Sequence, residues 1–299
     1  MTDPRKTLKL IANPVAGGDA RLRIEEARKF FEEAGYVVDL TLTEKRGDAR
    51  LAAAAARTGD FERLVVAGGD GTLNEAINGL APSTLPLAFL PLGTTNVLAL
   101  EAGIPKGLAD ACRLALAGTP TPVALGRAGE ARFLLMAGIG FDAEVVARVS
   151  TTLKRRVGKL AYAVSALLTL LRHPPAPMEL CLDDGRCRTG YGAIIGNGRL
   201  YGGRFSITRD ASLQEPSLDV CLFCRPGRLP LLRSALRVGL GRPLRAPDVA
   251  LFKTTALTLR GEGVAVQIDG DSHGGLPMNF SVTAGELLLV LPPASGEVA

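Results

Sequence analysis

The sequence has no tryptophan, only two histidines, and aromatic residues make up 5% of its 299 residues. The isolated His173 and His273 fit neither a Ser-His-Asp order nor a histidine-rich metal spacing, so both kinds of site are excluded. Long apolar runs are also missing, because the longest, residues 160–171, is too short to span a bilayer. Charged residues interrupt the N-terminal stretch, and no signal peptide is expected. We therefore expect a cytoplasmic protein, with a peripheral position on the inner membrane face left open.

Cysteine is scarce and odd in number. In a chain of cytosolic character, five cysteines predict free thiols rather than a disulfide framework. A zinc site built from both loosely spaced pairs remains an alternative. The five are Cys112, Cys181, Cys187, Cys221 and Cys224.

Charge is only mildly unbalanced, with a net charge of +5 and no long basic run. Such an excess suits anionic partners such as ATP or an anionic membrane face, and no nucleic-acid partner is expected. Hydrophobic residues make up 47% of the chain, which is enough for sizeable cores. The oligomeric state is not readable, and a homodimer is left open.

Apolar runs alternate with helical patterns from residue 8 to residue 117. This alternation predicts a parallel sheet with helices on both faces. Polar turns follow the predicted strands at residues 13–17, 68–72 and 93–96, and Thr43 ends another strand. Because ligands bind at the C-terminal ends of such strands, these turns are predicted to converge on one site.

The turn after the third strand is rich in glycine. Three glycines surround Asp70 in residues 68–71, directly after the apolar run 64–67. Thr72 is predicted as the N-cap of the following helix, with Glu75 completing a capping box. The backbone N–H groups of such a turn form an anion site. A carboxylate facing phosphates is repulsive unless a divalent cation lies between them, so the turn predicts a nucleotide–Mg²⁺ site.

After about residue 120 the pattern changes to eight strand-like runs between Gly/Asp turns, which predicts a β-sandwich. We therefore expect an α/β nucleotide-binding domain at residues 1–122, joined by the tail 290–299, and an all-β domain at residues 123–289. Helical patterns at residues 151–171 and 228–238 interrupt the strands.

Residues 68–75, Gly-Gly-Asp-Gly-Thr-Leu-Asn-Glu, resemble the nucleotide loop of the diacylglycerol kinase catalytic-domain family. That family includes the bacterial soluble (YegS-like) lipid kinases and the sphingosine and ceramide kinases, and NAD kinases carry a similar loop. Further motifs similar to the lipid kinases follow in family order at residues 11–18, 92–99, 138–143 and 196–203. The resemblance covers most of the chain and implies an active site in the cleft between an α/β domain and a β-sandwich.

The resemblance also implies a nucleotide site formed by the four turns of the first domain. Asp70 and Asp142 would act on Mg²⁺ through water, while Asn74 and Glu75 are alternatively read as residues that only pin the loop. The residues expected to contact ATP are Asn13, Thr43, Gly68, Gly69, Asp70, Gly71, Thr72, Leu73, Asn74, Glu75, Gly93, Thr94 and Asn96.

The second domain carries the carboxylate that is expected to act as the catalytic base. A phosphoryl acceptor hydroxyl needs a general base within hydrogen-bond reach. Residues 266–271 end a strand at an Asp-Gly-Asp turn, and the resemblance assigns the base to Asp271, with Asp269 beside it. The alternative is an Asx turn that only closes a hairpin.

Two further segments carry hypotheses. The family has a structural metal loop, and here Glu215, with the carbonyls of Ser212 and Ser217, is the expected Mg²⁺ ligand set. Pro216 replaces a glycine of that loop, and its fixed φ changes the backbone available there. Residues 151–171 combine four basic residues with an apolar run, which suits either packing on the sandwich or contact with an anionic membrane.

Together these features predict an ATP- and Mg²⁺-dependent lipid kinase. The acceptor is expected to be a hydroxyl of a diacylglycerol, a phosphatidylglycerol or a sphingoid-type lipid. An NAD kinase is the alternative enzyme, although its Thr-Pro-Thr-Gly-Ser-type segment is absent from the sequence. A catalytically silent nucleotide-binding regulator on the same fold is the third reading, supported by the altered loop at Pro216.

Overall fold

The computed structural model describes residues 6–148 and 174–293. The chain divides into two compact units, one formed by Met1–Leu125 with Ala284–Ala299 and the other by Gly126–Thr283. The predicted basic helix at residues 151–171, which carries Lys154, Arg155, Arg156 and Lys159, lies outside the described residues, as does His173.

The first unit is a parallel α/β structure. Its strands lie in the order β2-β1-β3-β4, all parallel, and the end of the last strand of the chain pairs in parallel with β4 through Leu289 and Leu87. Its elements are β1 Thr7–Ala12, α1 Ala20–Glu33, β2 Val37–Leu42, α2 Asp48–Ala56, β3 Arg63–Gly68, α3 Asp70–Leu80, β4 Leu87–Pro91, α4 Val97–Glu101 and α5 Leu108–Ala117.

The central strands of this sheet are buried, as their continuous apolar runs predict. Every residue of β4 is buried, and β1 and β3 are buried except at their first residues. Helix α1 packs its Ile24 and Phe31 into the same core as Leu10 of β1 and Val65 of β3. The predicted α/β class is confirmed for this unit.

The second unit is antiparallel. One sheet has the order β14-β13-β10-β7-β16-β17, and another set of paired strands runs β18-β15-β8-β9. The elements from the end of the first unit onward are β5 Thr119–Ala128, β6 Ala131–Phe133, β7 Met136–Ile139, α6 Phe141–Arg148, β8 Met178–Leu182, β9 Cys187–Gly190, β10 Ala193–Gly196, β11 Leu200–Tyr201, β12 Phe205–Ser206, β13 Leu218–Phe223, α7 Arg228–Gly239, β14 Val249–Thr254, β15 Ala256–Arg260, β16 Ala265–Ile268, β17 Asp271–Gly275 and β18 Met278–Leu291.

Side chains from both of these sheets form one hydrophobic core. Ile195 and Val220 come from one sheet, and Leu180, Leu259 and Phe280 come from the other. Two antiparallel sheets that share a core make a β-sandwich, so the predicted class of the second unit is also confirmed.

Several elements of the second unit were not predicted from the sequence. Strand β17 reads Asp-Ser-His-Gly-Gly and has no apolar alternation, but it forms because it pairs with β16 across a tight turn. Strand β14 and helix α6 were also missed. The predicted helix near residues 228–238 is present as α7.

The prediction of five free thiols was wrong for two cysteines. Cys181 of β8 and Cys187 of β9 face each other in the antiparallel register and form a disulfide. Their Cα atoms are 4.1 Å apart. Because this disulfide takes two of the four thiols proposed for zinc, the four-cysteine zinc alternative does not hold in this structure. Burial raises the pKa of Cys221 to about 12 and that of Cys112 to about 11.

Candidate active site

Turns that follow four strands of the first unit are held together by backbone hydrogen bonds. After β1, the Asn13 N–H donates to the carbonyl of Ala67 at 2.9 Å. After β4, the N–H groups of Leu92 and Gly93 both donate to the carbonyl of Gly68, at 2.9 and 3.1 Å. The Thr43 N–H, after β2, donates to the carbonyl of Ala12 at 2.9 Å. The structure therefore brings the predicted nucleotide turns of this unit together.

Asp70 links the glycine turn to the turn after β4. It is the first residue of α3, and one carboxylate oxygen accepts a 2.7 Å hydrogen bond from the Val97 N–H. The two turns also approach each other at their glycines, since a Cβ on Gly93 would lie 2.7 Å from the Cα of Gly69. Glycine at position 93 is therefore required by close backbone contact.

Helix α3 begins earlier than the sequence indicated. Its N-cap is Gly69, so Thr72 lies inside the first turn and the predicted capping box is wrong. The Thr72 hydroxyl instead accepts a hydrogen bond from Asn13 Nδ2 at 3.1 Å. The carboxylate of Glu75 accepts one from the Gly47 N–H at 2.9 Å. Both residues tie α3 to neighbouring turns, and the N-cap Gly69 supplies no side-chain cap.

The remaining residues that were predicted to contact the nucleotide differ in their exposure to solvent. Gly71 and Thr94 are exposed, whereas Leu73 is buried at 3% exposure and its N–H is used within the helix, so its side chain belongs to the core. Asn74 accepts hydrogen bonds from Asn78 Nδ2. The Asn74 bonds lie within α3, whereas the Glu75 bond joins α3 to the turn before α2.

Asn96 has the most unusual conformation of this group. Its φ is +50°, and its Nδ2 donates to the carbonyl of Gly93 at 2.7 Å. Its Oδ1 is buried and has no hydrogen-bond partner among the residues that the structure describes. A buried acceptor of this kind suits a donor group of a bound ligand.

In the second unit, Asp269 and Gly270 form a two-residue hairpin turn between β16 and β17. Their φ values are +46° and +87°, as a type I′ turn requires. Asp271 is the first residue of β17, pairs with Ile268 and is partly exposed.

The carboxylate of Asp269 is turned into the protein. It accepts hydrogen bonds from the N–H groups of Leu134, Leu135 and Met136 at 2.7, 2.9 and 3.0 Å. Buried Asn197 holds the same segment, since its Nδ2 donates to the carbonyl of Leu134 at 2.7 Å. Three backbone donors give this carboxylate a structural environment, and Asp271, like Asp269, is partly exposed.

A second set of side chains reaches the same turn from the side of Asp142. This carboxylate accepts hydrogen bonds from the Tyr201 hydroxyl and, at 2.7 Å, from Gln267 Nε2. Gln267 Oε1 in turn accepts from the Gly270 N–H at 2.8 Å. Desolvation by the surrounding protein raises the pKa of Asp142. Gly138 is a glycine here because a Cβ would overlap the Asp142 carboxylate, at 1.7 Å.

The predicted structural metal loop has a different arrangement. The Glu215 carboxylate is 2.6 Å from Lys253 Nζ, and this hydrogen bond lowers the pKa of Glu215. The Ser212 carbonyl accepts from the Glu215 N–H at 3.0 Å. Binding of Mg²⁺ by Ser212, Glu215 and Ser217 stays a prediction, and a cation there would have to displace the Lys253 ammonium from the Glu215 carboxylate.

Two family models match the chain, one in its N-terminal part and one in its C-terminal part. Residues 7–128 match the model described as "Diacylglycerol kinase catalytic domain". Residues 136–291 match the "YegS C-terminal NAD kinase beta sandwich-like domain". The chain belongs to the YegS-like lipid kinase family. It is therefore a lipid kinase-family enzyme, and enzymes of this family use ATP and a lipid substrate.

Three relatives show the extent of the match to this kinase family. The chain is 32% identical over 304 residues to "Probable lipid kinase YegS-like" of Pseudomonas syringae pv. syringae, covering 99% of this chain and 96% of that protein. It is 28% identical to "Diacylglycerol kinase" of Bacillus subtilis, covering 98% of each. A diacylglycerol kinase crystal structure from Bacillus anthracis has the same fold, with a TM-score of 0.79, 24% identity and coverage of 99% of this chain and 100% of that chain.

The helices that the structure describes in this kinase are all too short or too polar to cross a bilayer.

Proposed function

We propose that this kinase transfers the γ-phosphoryl group of ATP to the hydroxyl of a diacylglycerol, a phosphatidylglycerol or a sphingoid-type lipid, with Mg²⁺ as cofactor. The observation that carries the proposal is the junction of the turns after β3 and β4. There, Asp70 stands at the start of a helix whose N-cap is a glycine. Backbone N–H groups at such a helix start suit phosphate. Enzymes of this family use ATP, whose phosphate groups would bind there.

The donor set at this junction suits magnesium bound to a nucleotide. Mg²⁺ in kinase sites is held by one or two carboxylates together with phosphate oxygens and water, and Asp70 supplies one carboxylate. When bound, Mg²⁺ would neutralise charge on the transferring phosphoryl group. Asn96 supports the assignment, because its buried Oδ1 suits a hydrogen-bond donor of the nucleotide.

Asp271 is the proposed general base. Asp269 accepts three backbone hydrogen bonds, and the partly exposed Asp271 begins β17 directly after the turn that Asp269 and Gln267 hold. A base on a fixed turn can take the proton of an acceptor hydroxyl without rearrangement of the protein. Asp269 is then a positioning residue, and Asp142 reaches the turn through Gln267.

A transfer assay with radiolabelled ATP tests this function. The protein is incubated with Mg²⁺ and a total lipid extract, and the labelled product is identified by its mass. We expect a phosphorylated lipid, formed by the wild type and reduced in Asp70→Asn and Asp271→Asn. A parallel reaction with NAD in place of lipid covers the alternative enzyme. Labelled NADP without labelled lipid would overturn the proposal, and ATP binding without transfer to any acceptor would favour a silent regulator.

A further inference from the structure

Helix α7 presents leucines to solvent. Leu229 is 78% exposed, Leu236 is 58% exposed and Leu240, directly after the helix, is 69% exposed. Leu232, between them, is 36% exposed. The four are three or four residues apart, so they form one stripe along the helix.

The opposite face of α7 is the one that packs on the protein. Leu231 and Ser234 are buried, with 6% and 4% exposure. An amphipathic helix of a globular unit normally directs its single apolar stripe at the core and its polar residues at solvent. Helix α7 has an additional apolar stripe on its outer face. The packing of its buried face against the rest of the second unit does not account for this exposed stripe.

The segment that carries this stripe contains charged residues of positive sign only. Residues 225–247 contain six arginines and no acidic residue, which exceeds the net charge of +5 of the whole chain. Arg228, Arg233 and Arg237 lie on α7 beside the leucines, and Arg242 and Arg245 follow it. Arg233 is paired with Asp248 at 3.0 Å, and Arg237 Nε donates to the carbonyl of Pro243. Within residues 225–247 the excess of positive charge is therefore not balanced by the segment itself.

This combination favours a lipid surface over a protein partner. Arginine stems pack along apolar surface while the guanidinium groups reach toward phosphate, so leucines flanked by arginines suit the boundary between acyl chains and headgroups. Clustered basic residues also attract an anionic membrane when they lie within about one Debye length of its surface.

We propose that α7, with residues 240–245, docks on an anionic lipid bilayer, the leucine stripe entering the headgroup region and the arginines contacting lipid phosphates. This docking surface, defined here by residues 228–245, rests on the proposed function in one respect: a lipid kinase has to reach an acceptor that resides in the bilayer. The occupant is the bilayer itself, independent of which lipid is phosphorylated.

Vesicle sedimentation without ATP tests the docking surface. The probe is phosphatidylglycerol-rich vesicles, with pure phosphatidylcholine vesicles beside them. One variant combines Leu229→Ser, Leu236→Ser and Leu240→Ser, and another combines Arg228→Gln, Arg242→Gln and Arg245→Gln. We expect each to weaken binding to anionic vesicles at least tenfold, with wild-type unfolding temperatures, because the altered side chains are exposed. The arginine variant should also lose most of the salt dependence.

The matched control removes exposed leucines elsewhere. Leu22 of α1 and Leu51 of α2 are 62% and 71% exposed, so Leu22→Ser with Leu51→Ser changes surface hydrophobicity without touching α7. This control should bind vesicles as the wild type does. Equal loss of binding in the control and in the α7 leucine variant would overturn the proposal.

The remaining outcomes separate docking from catalysis. Phosphorylation of an acceptor dispersed in detergent micelles should be unchanged in the α7 variants, while phosphorylation in vesicles falls with binding. Vesicle binding that depends on α7 without phosphorylation of any lipid would support docking and refute the proposed function. Lipid phosphorylation by the wild type, with vesicle binding unchanged in the α7 variants, would support the proposed function and refute docking.

Light scattering tests whether the leucine stripe instead binds a second copy of the chain. A dimer that the leucine variant abolishes, with vesicle binding intact, would assign the stripe to a second copy of the chain and overturn the proposal.

Discussion

Asp269 and Met136 are joined by two reciprocal hydrogen bonds. The Asp269 N–H donates to the carbonyl of Met136 at 2.9 Å, and the Met136 N–H donates to Asp269 Oδ1 at 3.0 Å. The turn between β16 and β17 is thereby fixed to the start of β7, and Asp271 follows it by two residues. We therefore predict separable roles for the two acids of this short segment, stability for Asp269 and chemistry for Asp271.

Asp269→Asn should destabilise the fold. The amide keeps one oxygen acceptor but places an N–H₂ group against a backbone donor, either that of Leu134 or those of Leu135 and Met136. Leaving a buried donor unsatisfied costs about 1–3 kcal/mol, so the free energy of unfolding should fall by that order. Chemical denaturation measures it, with Asp271→Asn as the control that should stay near the wild type. Equal stability of all three proteins would contradict the structural role of Asp269.

Asp271→Asn should lose activity and keep the fold. The amide preserves the size of the side chain but cannot accept the hydroxyl proton, so kcat for lipid phosphorylation should fall by about 10²-fold or more. ATP affinity, measured by titration calorimetry, should change little. Full activity of Asp271→Asn, together with an inactive but folded Asp269→Asn, would show that the wrong carboxylate has been chosen.

Two substitutions should separate the contribution of Asp70 to stability from its contribution to turnover. Asp70→Asn retains an oxygen to accept from the Val97 N–H, so its unfolding temperature should be close to that of the wild type. Its turnover should nevertheless fall by about 10²-fold, because charge that stabilises the transferring group is lost. Asp70→Ala should lose both stability and turnover. A fully active Asp70→Asn enzyme would rule out the proposed Mg²⁺-linked role.

Asp142 should make stability depend on pH. Desolvation raises its pKa above the ordinary value of 3.8, so the folded state binds this proton more tightly than the unfolded state does. The contribution of Asp142 to the free energy of unfolding is therefore most favourable below 3.8 and decreases as the pH rises through the folded pKa. Asp142→Asn has no such proton, and its stability relative to the wild type should increase across that range. Denaturation at several pH values measures the difference, and a difference that does not vary with pH would refute the assignment.

Glu215 should not confer a response to magnesium. Its carboxylate is paired with Lys253, so a divalent cation would first have to displace the ammonium. Thermal unfolding with EDTA and with millimolar Mg²⁺ should therefore shift by the same amount in the wild type and in Glu215→Gln. A larger Mg²⁺-dependent rise in the wild type would show that the loop holds a cation after all.

The sequence predicted the architecture where residue pattern and burial agree. The apolar runs that became β1, β3 and β4 are buried on both faces, and such runs have few alternatives to central parallel strands. The polar turns after them were correctly predicted to converge, because parallel strands place their C-terminal ends at one edge.

Tertiary contacts decided the features that the sequence did not predict. Helix α3 begins at Asp70, and Thr72, predicted as its N-cap, instead bonds Asn13, a partner 59 residues away. The hydrogen bonds of the Asp269 carboxylate depend on the backbone of residues 134–136, which are distant in sequence. The leucines of α7 have the spacing of core leucines, and only their exposure shows that they face outward.

The final strand, β18, has a consequence for how the chain matures. Its first part pairs with β15 of the second unit, and Leu289 near its end pairs with Leu87 of β4 in the first unit. During synthesis, β4 therefore leaves the ribosome long before its neighbour exists, and an unpaired strand edge can recruit other chains. A nascent or truncated chain that stops before residue 284 should be prone to association through β4. Protection of that edge therefore depends on residues synthesised near the end of the chain, although β4 itself is among the first strands made.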